Sequence, residues 1–167
     1  MVADAASVVE IKSNWNVIRM LRMAPHPLTM ADERTWLASH AGEWRAGTAY
    51  RFAVTIAGSV IGCADVDDIA EGSGSFGYWF GEPWWSQGYA TEAGEAVMRF
   101  AFDQVSLAGL TSGRAADNPA SGRVLEKLGF KRTGEISVWS KPRGCSIRQV
   151  TYALRRDQVV PLPERSA

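Results

Sequence analysis

The fold is decided by one stretch, FGYWFGEPWWSQGYATEA, at residues 76–93. Its first five residues predict a β-strand, which Gly81 and Pro83 bring to an end. After Gly88 the pattern changes, because apolar residues then recur at the spacing of one helical face. The stretch therefore predicts a strand, a tight turn and a helix in succession. The helical stripe consists of Ala90, Ala93, Val97, Phe100 and Ala101.

The flanking sequence predicts a mixed α/β domain. Alternating residues on both sides of Ala57-Gly58 indicate a β-hairpin, and an acidic, glycine-rich loop is expected over residues 67–74. A mixed sheet with helices on its faces is the architecture that this order of elements favours. Three further helices cover about residues 4–18, a segment from a Thr29 or Asp32 cap to near Gly42, and a segment from an Asn118 cap to Gly129. The strands are expected at residues 50–56, 59–66 and 76–80, and near residues 110–116, 135–140 and 147–154.

Composition narrows the classes of function. The 167 residues fit one domain, residues 1–167, and 18 basic against 18 acidic residues give no net charge that would favour nucleic acid or an acidic membrane. Cys63 and Cys145 lack the spacing of a zinc site or a disulfide framework, so no metal is expected. Residues 1–14 show no signal peptide and no stretch is apolar enough to span a membrane, which together predict a cytoplasmic protein.

The turn before the predicted helix is suited to an anion. A helix N-terminus leaves about four main-chain amides without partners and carries a partial positive charge. Gly88 lets the backbone approach an anion closely, Ala90 leaves the first helical turn uncrowded, and Ser86 and Thr91 add hydroxyl donors. The turn matches neither the dinucleotide nor the nucleoside-triphosphate glycine motif. A glycine needed only for packing is the alternative.

Several motifs together resemble the GNAT acetyltransferases, and specifically their RimJ/RimL-like branch. They are GYWF at residues 77–80, WWSQGYATEA at 84–93, NPAS at 118–121 and VLEKLGF at 124–130, and they occur in the family's order and spacing. The resemblance covers about residues 17–155. It implies the GNAT fold, a single α/β domain with a mixed, mostly antiparallel sheet flanked by helices, and it implies acetyl-CoA as the co-substrate.

The resemblance also implies which residues contact acetyl-CoA. The backbone of the strand would pair with pantetheine and the acetyl group, with an amide near Phe80 stabilising the oxyanion. Trp85 stands where the family often has Arg or Gln, and the Asn118 side chain would face the cofactor. Arg123, with Lys127 one turn later, could reach the 3′-phosphate, although a solvated helix face is the alternative. The strand residues are Tyr78, Trp79 and Phe80, and the turn residues are Ser86, Gln87, Gly88, Tyr89, Ala90 and Thr91.

The catalytic residues depart from the family pattern. Leu125 occupies the position at which many relatives carry a tyrosine that protonates the leaving thiolate. Ser121 is then the nearest motif residue that could donate a proton, and RimL-like relatives have a serine there. Candidate bases are Glu82, Glu135 and Asp65, while His26 and His40 lie in the helical region where a substrate groove could form.

The sequence thus predicts direct transfer of an acetyl group from acetyl-CoA to a primary amine in a ternary complex. The acceptor could be a protein N-terminus or a small amine. A non-catalytic acyl-CoA-binding module and an interaction protein that retains only the fold are the alternatives. The family's opening strand is missing ahead of the first helix, so the sheet edge could be shorter, or a partner chain could fill it in a homodimer.

Overall fold

The structure, a computed structural model, describes residues 5–159. Its centre is one six-stranded sheet with the order β1-β2-β3-β4-β6-β5. All neighbouring strands are antiparallel except β3 and β4, which are parallel. This confirms the predicted mixed, mostly antiparallel sheet. The strands are β1 (Tyr50–Ile56), β2 (Ser59–Ala70), β3 (Ser73–Phe80), β4 (Gly109–Ala115), β5 (Lys131–Ser140) and β6 (Cys145–Arg155).

The helices begin and end where local chemistry allows. Asn14 caps a short second helix by accepting a hydrogen bond from the Asn16 amide, so the single helix predicted for residues 4–18 is wrong within its described part. The predicted start at Asp4 lies outside the described residues. The helices are α1 (Ala5–Lys12), α2 (Trp15–Ile18), α3 (Met30–Ala46), α4 (Tyr89–Arg99, continued by a π-helical turn, Phe100–Gln104) and α5 (Pro119–Lys127).

The third helix is longer than its sequence suggests. Thr29, one of the two predicted caps, is its N-cap. The helix passes through Gly42 and ends at Gly47, whose φ of +70° is a left-handed conformation that glycine tolerates. The extra turn carries Trp44, whose ring packs against that of Tyr50 at a centroid distance of 4.8 Å. Packing of this aromatic side chain therefore outweighs the low helix propensity of Gly42.

The loop predicted for residues 67–74 is also wrong. Strand β2 continues to Ala70 and β3 already begins at Ser73, with only Glu71 and Gly72 between them. Both turn residues have positive φ angles, +50° and +75°, which match the tight two-residue turns that join twisted antiparallel strands. Asp67 and Asp68 therefore lie on a long strand, whereas Glu71 lies in the turn.

Helices cover both faces of the sheet. On one face α4 and α5 enclose the main hydrophobic core, which includes Phe76, Leu110, Leu125 and Tyr152. On the other face α1 packs against α3 and β2. Among the described residues, no helix is long and apolar enough to cross a membrane.

The sheet opens between its two parallel strands. Only Ser73–Ser75 of β3 pair with residues 109–111 of β4, so residues 76–80 have no strand partner on that side within the described chain. We call the opening between residues 76–80 of β3 and residues 112–115 of β4 the strand gap. Its unpaired strand edge could accept an extended ligand as an additional strand.

Candidate active site

Strand alternation determines which main-chain groups face the strand gap. The Gly81 amide donates to the Ile61 carbonyl on β2 at 3.0 Å, so in an antiparallel pair the main chain of Trp79 also faces β2. Tyr78 and Phe80 then present their main-chain groups to the strand gap. The side-chain contact on the same edge agrees, because the Ser112 hydroxyl donates to the Phe76 carbonyl at 2.8 Å. Of the three predicted strand contacts, Trp79 could therefore contact a ligand in the gap only with its side chain.

The turn of residues 85–90 presents a row of free amides. In the described chain, the amides of Ser86, Gln87, Gly88, Tyr89 and Ala90 donate no hydrogen bond to a main-chain carbonyl or a side chain. Gly88 has φ +90°, and the position that a Cβ would occupy there is open. The arrangement fits an anion at the start of α4.

The amide of Thr91 differs from this row. It donates to the Gly88 carbonyl at 3.0 Å, and the Glu92 amide donates to the same oxygen at 3.1 Å. The main chain of Thr91 is thus already paired, and only its hydroxyl could meet an anion.

Two side chains brace the turn instead of projecting into it. The Trp85 indole donates to the Phe80 carbonyl at 2.7 Å, and Gln87 Nε2 donates to the Pro83 carbonyl at 2.7 Å. Trp85 therefore has a structural contact that the sequence motif did not suggest. Because both bonds return to the segment before the turn, the amide row is held close to the end of β3.

The N-terminus of α5 lies across the strand gap from β3. Asn118 Oδ1 accepts the Ser121 amide at 3.2 Å and so caps the helix, while its Nδ2 has no partner within residues 5–159. The hydroxyl oxygens of Tyr78 and Ser121 are 2.6 Å apart, and Tyr78 also lies 3.0 Å from the Ser121 carbonyl. Leu125 is fully buried in the core. The structure therefore brings a second hydroxyl, from β3, to the predicted acid.

The predicted bases occupy three different environments. Glu82 is exposed, follows Phe80 by two residues, and accepts hydrogen bonds from the side-chain amides of Asn14 (2.6 Å) and Asn16 (3.2 Å). These amides come from the cap and the first turn of α2, and they fix the carboxylate without neutralising its charge. Glu82 is thus the carboxylate that the structure holds beside the end of β3.

The other two candidate carboxylates, Glu135 and Asp65, are less suitable as the general base. Glu135 lies on β5, separated from β4 by β6, and its oxygens are 2.5 Å from Arg132 and 3.4 Å from Arg148. Ordinary strand spacing puts β5 about 10 Å from β4. Asp65 is buried on β2 against Gly77, and desolvation, with a smaller contribution from Asp67, raises its pKa to about 7. It belongs to the charged network around Arg51.

In the part of the chain that the structure describes, the remaining predicted site residues, two histidines and an arginine, have no hydrogen bond or ion pair with the residues that line the strand gap. His26 is exposed and its ring lies 5.1 Å from that of Trp15. His40 is buried under α3, where desolvation and then the charge of Arg51 lower its pKa, and its Nε2 has no partner in the described chain. Arg123 is exposed on α5 and no described residue pairs with it. Within residues 5–159, no three His, Cys, Asp or Glu side chains gather to hold a metal ion.

The fold and this arrangement define an α/β protein with a split sheet and a row of unpaired amides at the start of one helix. A family model described as an acetyltransferase (GNAT) domain matches residues 1–131, which is more than half of the chain. The chain therefore belongs to the GNAT acetyltransferase family. This confirms the family that the sequence motifs predicted.

Individual relatives agree with the assignment. The SPbeta prophage-derived uncharacterized N-acetyltransferase YokL of Bacillus subtilis (strain 168) is 27% identical over 112 residues, 65% of this chain and 63% of YokL. The chain matches less than two thirds of the length of the curated relatives.

Solved structures confirm the fold. Mycobacterium smegmatis RimJ in complex with CoA-disulfide superposes with a TM-score of 0.86 at 19% identity, covering 98% of this chain and 81% of RimJ. The ribosomal-protein-S5-alanine acetyltransferase from Vibrio fischeri gives a TM-score of 0.83 at 18% identity, covering 96% and 92% of the two chains. The fold is thus that of RimJ-like acetyltransferases.

Proposed function

We propose that this protein transfers the acetyl group of acetyl-CoA directly to a primary amine in a ternary complex. The observation that carries the proposal is the row of five unpaired amides in the 85–90 turn, next to the unpaired edge of β3. Amides in a row at a helix start suit a pyrophosphate, and a free strand edge suits the amide groups of pantetheine. One extended ligand with both groups can satisfy the two features together.

The proposed binding of acetyl-CoA follows from these placements. The amides of residues 86–90 hold the pyrophosphate, and the main chains of Tyr78 and Phe80 pair with pantetheine across the strand gap. The free Nδ2 of Asn118 contacts the same arm from the opposite side. Arg123 is exposed and near enough in sequence to Asn118 to meet the 3′-phosphate. The Trp79 side chain and the Thr91 hydroxyl make additional contacts with acetyl-CoA.

Acetyl transfer requires a neutral amine and a polarised thioester. In the proposal Glu82 accepts the proton of the attacking nitrogen, directly or through water. The Phe80 amide donates to the developing oxyanion, an interaction typically worth ~2.7–4 kcal/mol. The Ser121 hydroxyl donates a hydrogen bond to the departing sulfur. Glu135, in two ion pairs on an outer strand, is left out.

The acceptor is a protein N-terminal α-amine or a small-molecule amine. At pH 7 an α-amine with a pKa of ~7.7–8 is neutral in roughly a tenth of molecules, whereas a lysine side chain is neutral in about one of a few thousand. A single exposed carboxylate such as Glu82 is therefore adequate for an α-amine. The acceptor named for the Vibrio fischeri neighbour, the alanine of a ribosomal protein, is consistent with this class.

The test is a screen for coenzyme A release and acetylated product across small amines and N-terminal peptides. Gly88→Val should raise the Kd for coenzyme A by about ten- to a hundred-fold, since hydrogen bonds to charged groups are worth ~1.5–3 kcal/mol. Gly58→Val is the matched control, because Gly58 also has positive φ (+81°) and open space but lies in the β1–β2 turn.

Three outcomes separate the alternatives. Product with at least one amine, together with selective weakening by Gly88→Val, supports the transferase. Binding of coenzyme A without any acetylated product would instead show a non-catalytic acyl-CoA-binding module. No binding at millimolar concentration would leave only a protein that retains the fold.

A further inference from the structure

Beside the strand gap, a side-chain hydrogen bond joins β3 to α5. Tyr78 lies on β3 and Ser121 on the first turn of α5, 43 residues apart in sequence, yet their hydroxyl oxygens are 2.6 Å apart. Both residues are partly buried. The pair therefore connects β3, which lines the strand gap, with the start of α5, the helix that follows β4.

The pair has two possible arrangements of its two protons. If Tyr78 donates to the Ser121 carbonyl, 3.0 Å away, the Ser121 hydroxyl can donate to the Tyr78 oxygen and its proton is used. If Tyr78 donates to Ser121 Oγ, the Ser121 proton is free for a group in the strand gap. The direction of the Tyr78 hydroxyl thus decides whether Ser121 can act as a donor to a ligand.

The Tyr78 hydroxyl keeps its proton, and so can donate a hydrogen bond, at every pH near neutrality. Burial raises its pKa to about 12, against a smaller opposite effect of the bond to Ser121. Its ring packs against Phe76 at a centroid distance of 5.5 Å, a contact that phenylalanine would make equally well. Packing alone therefore does not account for the hydroxyl.

We propose that Tyr78 is a positioning residue for acetyl transfer: its hydroxyl donates to Ser121 Oγ and so directs the Ser121 proton toward the sulfur of acetyl-CoA. The inference rests on the proposed function. It also fits the presence of Leu125 at the family's tyrosine position, since Ser121, oriented by Tyr78, then supplies the hydroxyl that faces the sulfur.

The transfer step balances as follows. The amine nitrogen forms a bond to the acetyl carbon, the carbon–sulfur bond breaks, and its electron pair goes to sulfur. Ser121 donates a hydrogen bond to the developing thiolate but keeps its proton, because an alcohol is a weaker acid than a thiol. The nitrogen loses its proton to Glu82 and then to solvent, and the thiolate takes a proton from solvent.

The experiment is a double-mutant cycle with Tyr78→Phe and Ser121→Ala, measured with the best acceptor of the amine screen. We expect each single variant to lower kcat by at least about tenfold, with the KM for acetyl-CoA within about twofold of wild type. The double variant should be no slower than Ser121→Ala, because Tyr78 acts only through Ser121. Tyr50→Phe is the control: it removes another partly buried tyrosine hydroxyl, on β1, where the ring packs against Trp44.

Multiplicative effects in the double variant, or an unchanged kcat in Tyr78→Phe, would overturn the inference and leave the acetyltransferase proposal intact. An inactive wild type with every amine would overturn both. If the Tyr78→Phe variant does not fold, a crystal structure of the wild type with coenzyme A tests the positioning role of Tyr78 instead. Ser121 Oγ must then contact Tyr78 on one side and the sulfur on the other, and a hydroxyl turned away from the sulfur contradicts the role.

Discussion

The indole nitrogen of Trp85 donates a hydrogen bond of 2.7 Å to the carbonyl oxygen of Phe80. Phe80 is the last residue of β3 and Trp85 begins the turn of free amides, so this bond sets the position of one relative to the other. In the proposed complex, it sets the distance between the site of the acetyl group and the site of the pyrophosphate.

Trp85→Phe should loosen this connection. The variant loses the donor to Phe80 and should lower the free energy of unfolding by about 0.5–1.5 kcal/mol, the net value of one hydrogen bond. We expect the KM for acetyl-CoA to rise several-fold, because the amide row is no longer held against β3. Trp139→Phe, at a site 57% exposed, is the control for loss of an indole. Equal KM values for both variants would show that the bond does not position the turn.

Glu82→Gln and Glu135→Gln discriminate between the two candidate bases. Glutamine keeps an acceptor for Asn14 and Asn16 but cannot take a proton, so kcat should fall by about 10²–10⁴ in Glu82→Gln. Glu135→Gln should retain wild-type kcat, since that carboxylate is paired with arginines on an outer strand. Steady-state kinetics with saturating acetyl-CoA measure both. The opposite pattern would assign the base to Glu135.

Substitutions in the buried ion pair between α1 and α3 should have non-additive effects on the free energy of unfolding. Lys12 Nζ lies 2.7 Å from Glu33 Oε2, with the side chains 8% and 1% exposed. Lys12→Met leaves a buried carboxylate without its cation and should cost about 3–5 kcal/mol. The double variant Lys12→Met, Glu33→Leu should recover most of that loss, because no buried charge remains. Urea unfolding measures this, and a double variant as unstable as the sum of both singles would contradict it.

Asp65 should make stability depend on pH. The unfolded carboxyl ionises near pH 4, whereas the folded one keeps its proton to about pH 7, so the folded state binds the extra proton between these values. Its contribution to the free energy of unfolding is present below about pH 4 and is lost as the pH rises through 7. At ~1.4 kcal/mol per pKa unit, the change is at most about 4 kcal/mol.

Asp65→Asn should remove this dependence. The stability of the variant relative to wild type should therefore increase from pH 4.5 to pH 7.5, as measured by urea unfolding at each pH. Asp68→Asn is the control on the same strand, because Asp68 is exposed. A parallel pH profile for Asp65→Asn and wild type would show that Asp65 is already ionised in the folded protein at low pH.

The sequence predicted correctly those elements that depend on interactions between residues close together in the chain. The strand-turn-helix unit, the Thr29 and Asn118 caps and the Ala57-Gly58 hairpin all depend on residues a few positions apart. Two of the predictions that were wrong depended on distant residues. Trp44 packs on Tyr50 and so extends α3 past Gly42, and antiparallel pairing of β2 with β3 makes strand of residues expected to form a loop.

The same distinction holds for the site. By itself, the sequence determined the family, the order of elements and the glycine turn at the start of α4, because a motif carries its own backbone geometry. Only the tertiary structure decided that Asn14 and Asn16 hold Glu82, that Trp85 ties the turn to Phe80, and that Tyr78 meets Ser121. Side-chain contacts across a sheet depend on strand register and helix placement, and the packing of the whole core sets both.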